Sequence, residues 1–258
     1  MPARTLIDRM STTRTMARLA RTGPDADVGP STVVVLPMDE WTRTSPVSSA
    51  LAILADAFLP HPLAVMDVDG AAQPLRGLLG SPEAGDLVGL SASVEAGQSR
   101  RAVENFVDMT ATVPLVSAWI RGAGELPAHI VRDAVWRLTR RFPSVILDVP
   151  ATVPSETIAQ ATAMASHVVL VTDSHGANHN WLHSGDSLLS GLARRGAVSV
   201  AVVGGSEQDR TGCEHHDIVP LGDALTSTYD RGRMELSRTE PGLLAPVYEL
   251  ATRAFSKQ

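Results

Sequence analysis

Three aspartates stand where apolar runs end. Asp67 and Asp69 follow Leu63–Ala64–Val65–Met66, and Asp148 follows Ser144–Val145–Ile146–Leu147. Thr44, Ser45 and Pro46 come shortly after a third run, Thr32–Val33–Val34–Val35–Leu36. An aspartate at a strand end caps the turn that follows; with a phosphate to bridge, it can also help hold Mg²⁺. The phosphate is the difficulty. A loop that grips the β- and γ-phosphates of a nucleotide uses a lysine at the start of the first strand–helix unit. This chain has one lysine, Lys257, its penultimate residue. Lysine-dependent nucleotide hydrolysis is therefore not available to it.

Other chemistry is less well supported. His175, His179 and His183 recur every four residues, and Cys213-Glu214-His215-His216-Asp217 is a second cluster of metal-binding side-chain types. The second cluster immediately precedes a strand-like run and the first follows one. They are therefore expected at opposite edges of a sheet, as solvated or interface histidines, and no metal site is assigned. No G-x-S-x-G elbow is present, and Cys213 lies among polar residues. No residue is assigned a catalytic role.

Composition narrows the class. With 258 residues, 44% apolar and 19% charged, the chain can bury a proper core. No apolar run approaches the length of a membrane span, and no signal-like segment opens the sequence. One cysteine fits a reducing compartment, so a cytoplasmic location is expected. Residues 1–22 carry Arg4, Arg9, Arg14, Arg18 and Arg21 against Asp8, a net of +4. The whole chain carries −6, which leaves −10 on the remainder. That acidic body argues against general nucleic-acid affinity. The basic arm suits its own acidic body, an acidic partner, or the anionic inner face of a membrane.

The elements that must position these residues follow from periodicity. Residues 1–30 form a basic arm and a Gly/Pro/Asp linker, and 31–258 a single domain. Short two-sided apolar runs occur at 32–36, 63–66, 113–116, 144–147, 168–171, 198–203 and 218–219. These suit strands covered on both faces. Helical spacing is found over 47–58, 100–109, 128–140, 155–165, 180–194 and 243–255. Ser155 is placed as the cap of its helix, and Ser45-Pro46 reads as a cap with proline at the first helical position. The alternation predicts a doubly wound, mostly parallel α/β sheet of about seven strands flanked by helices. Ligands of such sheets sit at the carboxyl ends of the strands.

Taken in order, these strand ends resemble the ParA/MinD group of partitioning and positioning ATPases, which have a P-loop fold. The resemblance covers Thr32 to the C-terminus. In that group a phosphate loop follows the first strand, an aspartate-rich turn the second, and a Walker B aspartate a later one. Here these positions hold Asp39–Pro46, Asp67-Val68-Asp69, and Asp148. Val219-Pro220-Leu221-Gly222-Asp223 is similar to the group's adenine-side turn, which gives Pro220 and Asp223 their candidate role. The C-terminal stretch most resembles actinobacterial MinD-like proteins associated with type VII secretion, with Flp-pilus assembly members as the next relatives.

The departures all concern phosphate. In register, the group's K-G-G-V-G-K-T-T falls on Asp39 to Pro46, so Asp39 and Thr44 replace both lysines and Glu40, Trp41 and Arg43 the glycines. Glycine permits the left-handed backbone and close approach that such a loop needs, and Pro46 lacks an amide proton. Losing the lysine and several donors removes on the order of 5–10 kcal/mol. Micromolar affinity amounts to only about 8 kcal/mol. Thr44, Ser45, Asp67, Asp69, Asp148, Pro220 and Asp223 are therefore read as a vestigial nucleotide pocket with no cofactor assigned. ATP with Mg²⁺ is the ligand that the resemblance offers, and Arg43 a cation that could stand in for a lysine. The expected role is a scaffold or regulatory protein of a cell-envelope or secretion apparatus. Its alternative is an atypical positioning ATPase. Relatives dimerise across the nucleotide, so a homodimer or heteromer through this face is expected, with Trp41 and Arg43 at the interface. Trp41 has a second reading, in which it plugs the vacated pocket.

Overall fold

A computed structural model describes residues 29–81, 85–118, 122, 124–173, 179, 181–206, 208–209, 217–222, 225, 232–234 and 241–256. The basic arm and most of its linker lie outside these, as do Asp223, His175 and Cys213 to His216. Eight parallel strands form one sheet: β1 (Ser31–Pro37), β2 (Leu63–Asp67), β3 (Gly85–Asp86), β4 (Leu115–Ser117), β5 (Ser144–Asp148), β6 (His167–Thr172), β7 (Val198–Val203) and β8 (Ile218–Gly222). Their spatial order is β3-β4-β2-β5-β1-β6-β7-β8.

Helices cover both faces. Among the described residues they are α1 (Ser45–Phe58), α2 (Pro74–Leu78), α3 (Leu87–Ala92), α4 (Val94–Gln98), α5 (Arg100–Glu104), α6 (Ala128–Leu138), α7 (Ser155–Met164), α8 (Trp181–Ser184), α9 (Leu188–Arg194) and α10 (Pro241–Phe255). Strand parity decides which side chain meets which layer. Val33, Val35, Leu63, Val65 and Ile146 point into one core, with Val47, Leu51 and Leu54 of α1 and Leu244, Val247 and Leu250 of α10. Val34, Leu36, Ala64, Met66, Val145 and Leu147 point into the other, beneath α3, α6, α7 and α9. Asp67 and Asp148 continue the first set of rows. Their side chains therefore emerge on the α1 side, at the carboxyl ends of adjacent strands.

The fold differs from the periodicity reading in particular places. The sheet gains an eighth strand, β3, too short to leave a pattern; Gly85 sits where a Cβ would lie 1.9 Å from the Phe106 carbonyl oxygen. β4 begins after Pro114, which has no amide to donate. The helix expected over 100–109 stops at Glu104, because Asp108 accepts from the Thr110 amide and hydroxyl and from Ser81 Oγ, which folds the chain into a turn. The helix expected over 180–194 is two, broken at Gly185-Asp186, with Ser187 capping α9 by accepting from the Ser190 amide at 3.1 Å. Ser155 is the first helical residue of α7; Pro154 holds the cap position. No helix among the described residues is long and apolar enough to cross a membrane.

Candidate functional site

The carboxyl ends of β1, β2 and β5 are locked together before any side chain is considered. The Val149 amide donates to the Val35 carbonyl at 3.1 Å and the Val68 amide to the Asp148 carbonyl at 3.0 Å. Asp67 and Asp148 are direct partners in the β2–β5 register, and both are fully buried. Adjacent strands lie about 4.8 Å apart, so two carboxyls share one dry corner. Burial, followed by the charge of Asp148, pushes Asp67 well above the usual carboxylate range. Burial also raises Asp148, and hydroxyl donors oppose it.

Those hydroxyls come from the first turn of α1. Ser45 Oγ donates to one oxygen of Asp148 at 2.5 Å, and Ser48 Oγ to the other at 2.7 Å. Ser45 and Ser48 are three residues apart, so both face the same side of the helix. The expectation that Ser45 caps α1 is thus corrected. Thr44 holds the cap position without a side-chain bond, and the Ser45 hydroxyl is committed to Asp148. Thr44 is 2% exposed, and its Oγ1 forms no hydrogen bond of ordinary geometry. Sequence reasoning misses Ser48; a buried serine one turn into an otherwise apolar helix face is the signal that could have found it.

Asp69, 8% exposed, accepts from the amides of Ala71 and Ala72, both at 2.9 Å. Asp67 accepts from the amides of Asp69 at 3.0 Å and Leu75 at 3.2 Å. The turn between them is unusual. Gln73 is fully buried at φ 50°, and among the described residues it is the non-glycine with positive φ. Such conformations cost about 1–3 kcal/mol and persist only where surroundings enforce them. Here Gly70 packs so closely on Gly124 that a Cβ would meet its carbonyl oxygen at 2.0 Å.

The loop from Asp39 to Thr44 turns two of its amides onto its own first residue. Asp39 Oδ1 accepts from the amides of Trp41 at 2.9 Å and Thr42 at 2.8 Å, and Oδ2 from Thr42 Oγ1 at 2.7 Å. The Thr42 hydroxyl, ahead of the amides, holds Asp39 below the usual carboxylate range. The turn thus wraps a carboxylate of its own. Trp41 is 81% exposed, which rules out its alternative reading as a plug. Arg43 is also exposed. Among the described residues no ion pair joins an arginine to Asp67, Asp69 or Asp148. A triphosphate with Mg²⁺ does not fit this arrangement: the Trp41 and Thr42 amides serve Asp39, and both Asp148 oxygens serve serine hydroxyls.

The structure thus brings Thr44, Ser45, Asp67, Asp69 and Asp148 to one corner. It does not bring Pro220 there: that residue is buried in β8, at the far edge of the sheet. His183 Nε2 lies 2.7 Å from Asp217 Oδ2, so these members of the two clusters meet, while His175 and Cys213 to His216 lie outside the described residues. His179 precedes α8 and is buried, which lowers its basicity. Among the described residues no group of three or more side chains could hold a metal.

No family model matches the chain, and no curated protein matches it. Solved structures do. A ParA family ATPase from Chlorobium tepidum is 12% identical with a TM-score of 0.61, covering 86% of this chain and 98% of its own. MinD of Pyrococcus horikoshii, solved with Mg-ADP, is 14% identical at a TM-score of 0.58, covering 86% and 94%. The MinC:MinD complex of Aquifex aeolicus gives 15% identity and 0.54, covering 86% and 95%. The chain therefore has the fold of the ParA/MinD P-loop ATPases.

Proposed function

We propose that this chain is a ParA/MinD-like protein that neither binds nor hydrolyses ATP in the manner of that fold, and works instead as a scaffold or regulatory partner through its former nucleotide face. The observation that carries this reading is Asp39, whose carboxylate takes the amides of Trp41 and Thr42 that a phosphate would need. A bound triphosphate would have to displace it, and would then meet Asp39 and Glu40 as like charges with no lysine to offset them. A protein partner is in keeping with the fold, since one MinD neighbour was solved in complex with MinC. The exposed Trp41 beside Arg43 is the anchor offered to such a partner. The setting we propose is a cell-envelope apparatus, specifically type VII secretion, on the C-terminal pattern described above.

One observation favours a second reading. Asp67, Asp69 and Asp148 stay buried together although replacement by apolar residues would relieve their repulsion. That retention is what an atypical nucleotide-binding positioning ATPase would require. Calorimetric titration with Mg-ATP and a phosphate-release assay separate the two. The scaffold reading expects no saturable heat and no turnover, and Trp41→Ala weakens self-association or partner capture. Turnover abolished by Asp148→Ala would replace it with the ATPase reading.

A further inference from the structure

The described part of this acidic chain has one place where arginines gather around an exposed indole, and it is far from the aspartate corner. α6 ends at Leu138, just before β5 starts, so its last turns lie at the amino-terminal edge of the sheet. There Trp136 is 54% exposed, with the Arg137 and Arg140 guanidinium carbons 5.6 and 5.4 Å from its ring centroid. α4 packs alongside: a Cβ on Gly97 would lie 3.4 Å from the Trp136 ring, and Arg137 Nε donates to the Ser93 carbonyl at 2.8 Å. Val94, at the start of α4, is 72% exposed. α5 is tied to the same end by Arg141 and Glu104 at 2.5 Å and carries Arg100 and Arg101 on its exposed side.

Arginines at a helix C-terminus are favourable for the helix itself, which explains part of this arrangement. It does not explain why Trp136 and Val94 are left in water. Nor does it explain why, among the described residues, Arg100, Arg101, Arg137 and Arg140 form no ion pair on a chain of net −6. Arg137 spends Nε and Nη1 on the Ser93 and Asp133 carbonyls, whereas Arg140, stacked on the indole, presents its N–H edge to a planar carboxylate. Tryptophan and arginine are also the side chains that dominate protein-interface energetics.

We propose that this face, formed by the end of α6 with α4 and α5, docks a short acidic segment of a partner protein that carries an apolar side chain for the Trp136 ring. Carboxylates within the patch favour a narrow occupant over a broad one. Glu95 is exposed on α4, and Asp133 and Glu104 sit beside Arg132 and Arg141. A bilayer or a nucleic-acid duplex lying flat would press phosphates onto them, and the acidic body would repel both over the Debye length. A single extended segment can pass between them. The surface is independent of the state of the loop at Asp39.

The test uses the full chain with Trp41, Trp119 and Trp181 changed to Phe, so that emission reports Trp136 alone. The probe is a synthetic peptide of glutamates around one phenylalanine. Saturable quenching or a spectral shift is expected, weakened at least tenfold by Arg100→Glu with Arg140→Glu and by raising the salt. Arg100→Glu with Arg101→Glu, which leaves α6 intact, is expected to weaken it in the same direction. Three results would each overturn the proposal: no saturable response, a response that survives both charge reversals, or tighter binding of phosphatidylglycerol vesicles or a single-stranded oligonucleotide than of the peptide.

Discussion

Changing Asp67 to Asn should stabilise this protein at neutral pH, which is unusual for a fully buried side chain with two hydrogen bonds. The magnitude follows from the β2–β5 register. Asp67 and Asp148 are strand partners with no exposure, and at strand spacing two ionised carboxylates repel by about 3 kcal/mol in an effective dielectric near 20, a cost that the folded chain meets either as repulsion or by taking up a proton on Asp67. Asparagine removes that repulsion while retaining an oxygen for one of the two amides that Asp67 accepts. The other amide loses its acceptor, at about 1 kcal/mol. The net gain is about 1–2 kcal/mol at pH 7.5, or roughly 2–8 °C in Tm for a chain of this size. The sign reverses with acid. Burial and Asp148 raise the Asp67 carboxyl in the folded state, so the folded chain holds a proton that the unfolded chain releases. Stability from this group is full below the ordinary carboxylate range and is lost as pH rises through the raised value. Thermal melts of parent and variant on the acid side of the ordinary carboxylate range and at pH 7.5 test this. A variant less stable by the same amount at both values would show that no carboxylate repulsion is stored at this corner.

Three further outcomes follow from single residues. His167, buried and 3.0 Å from Ser199 Oγ, is lowered by burial to about 4. It stays neutral when folded, so its share of stability is present above pH 6.5 and declines toward pH 4 by about 3 kcal/mol; His167→Gln should flatten that slope in denaturant titrations. Gly85→Ala should cost about 2–4 kcal/mol by chemical denaturation, because the new Cβ meets the Phe106 carbonyl. Trp41→Ala should leave the melting temperature unchanged, since the side chain is 81% exposed, while reducing association measured by sedimentation.

The sheet was legible in the sequence wherever burial is two-sided. Runs such as Val33–Leu36 and Val168–Val171 cannot be solvated on either face, so pattern alone places them. What stayed hidden depends on contacts rather than pattern. β3 exists because Gly85 passes under the Phe106 carbonyl, and α5 ends early because Asp108 collects local donors. The aspartate corner could be named from strand ends because a strand end fixes both position and direction. The serine hydroxyls on Asp148 could not, since Ser45 in isolation reads as a cap and Ser48 as helix interior. The self-wrapped turn at Asp39 was half visible: its missing lysine and glycines are composition, but which group accepts the free amides is geometry.

Crystals of the full chain grown with millimolar Mg-ATP would probe the Asp39 turn at atomic level. If the turn is closed on its own carboxylate, Asp39 keeps the Trp41 and Thr42 amides and Asp148 keeps both serine hydroxyls, with no triphosphate density against the start of α1. Density for a triphosphate there, with the Asp39 carboxylate swung away and Ser45 released from Asp148, would show instead that the nucleotide face is still in use.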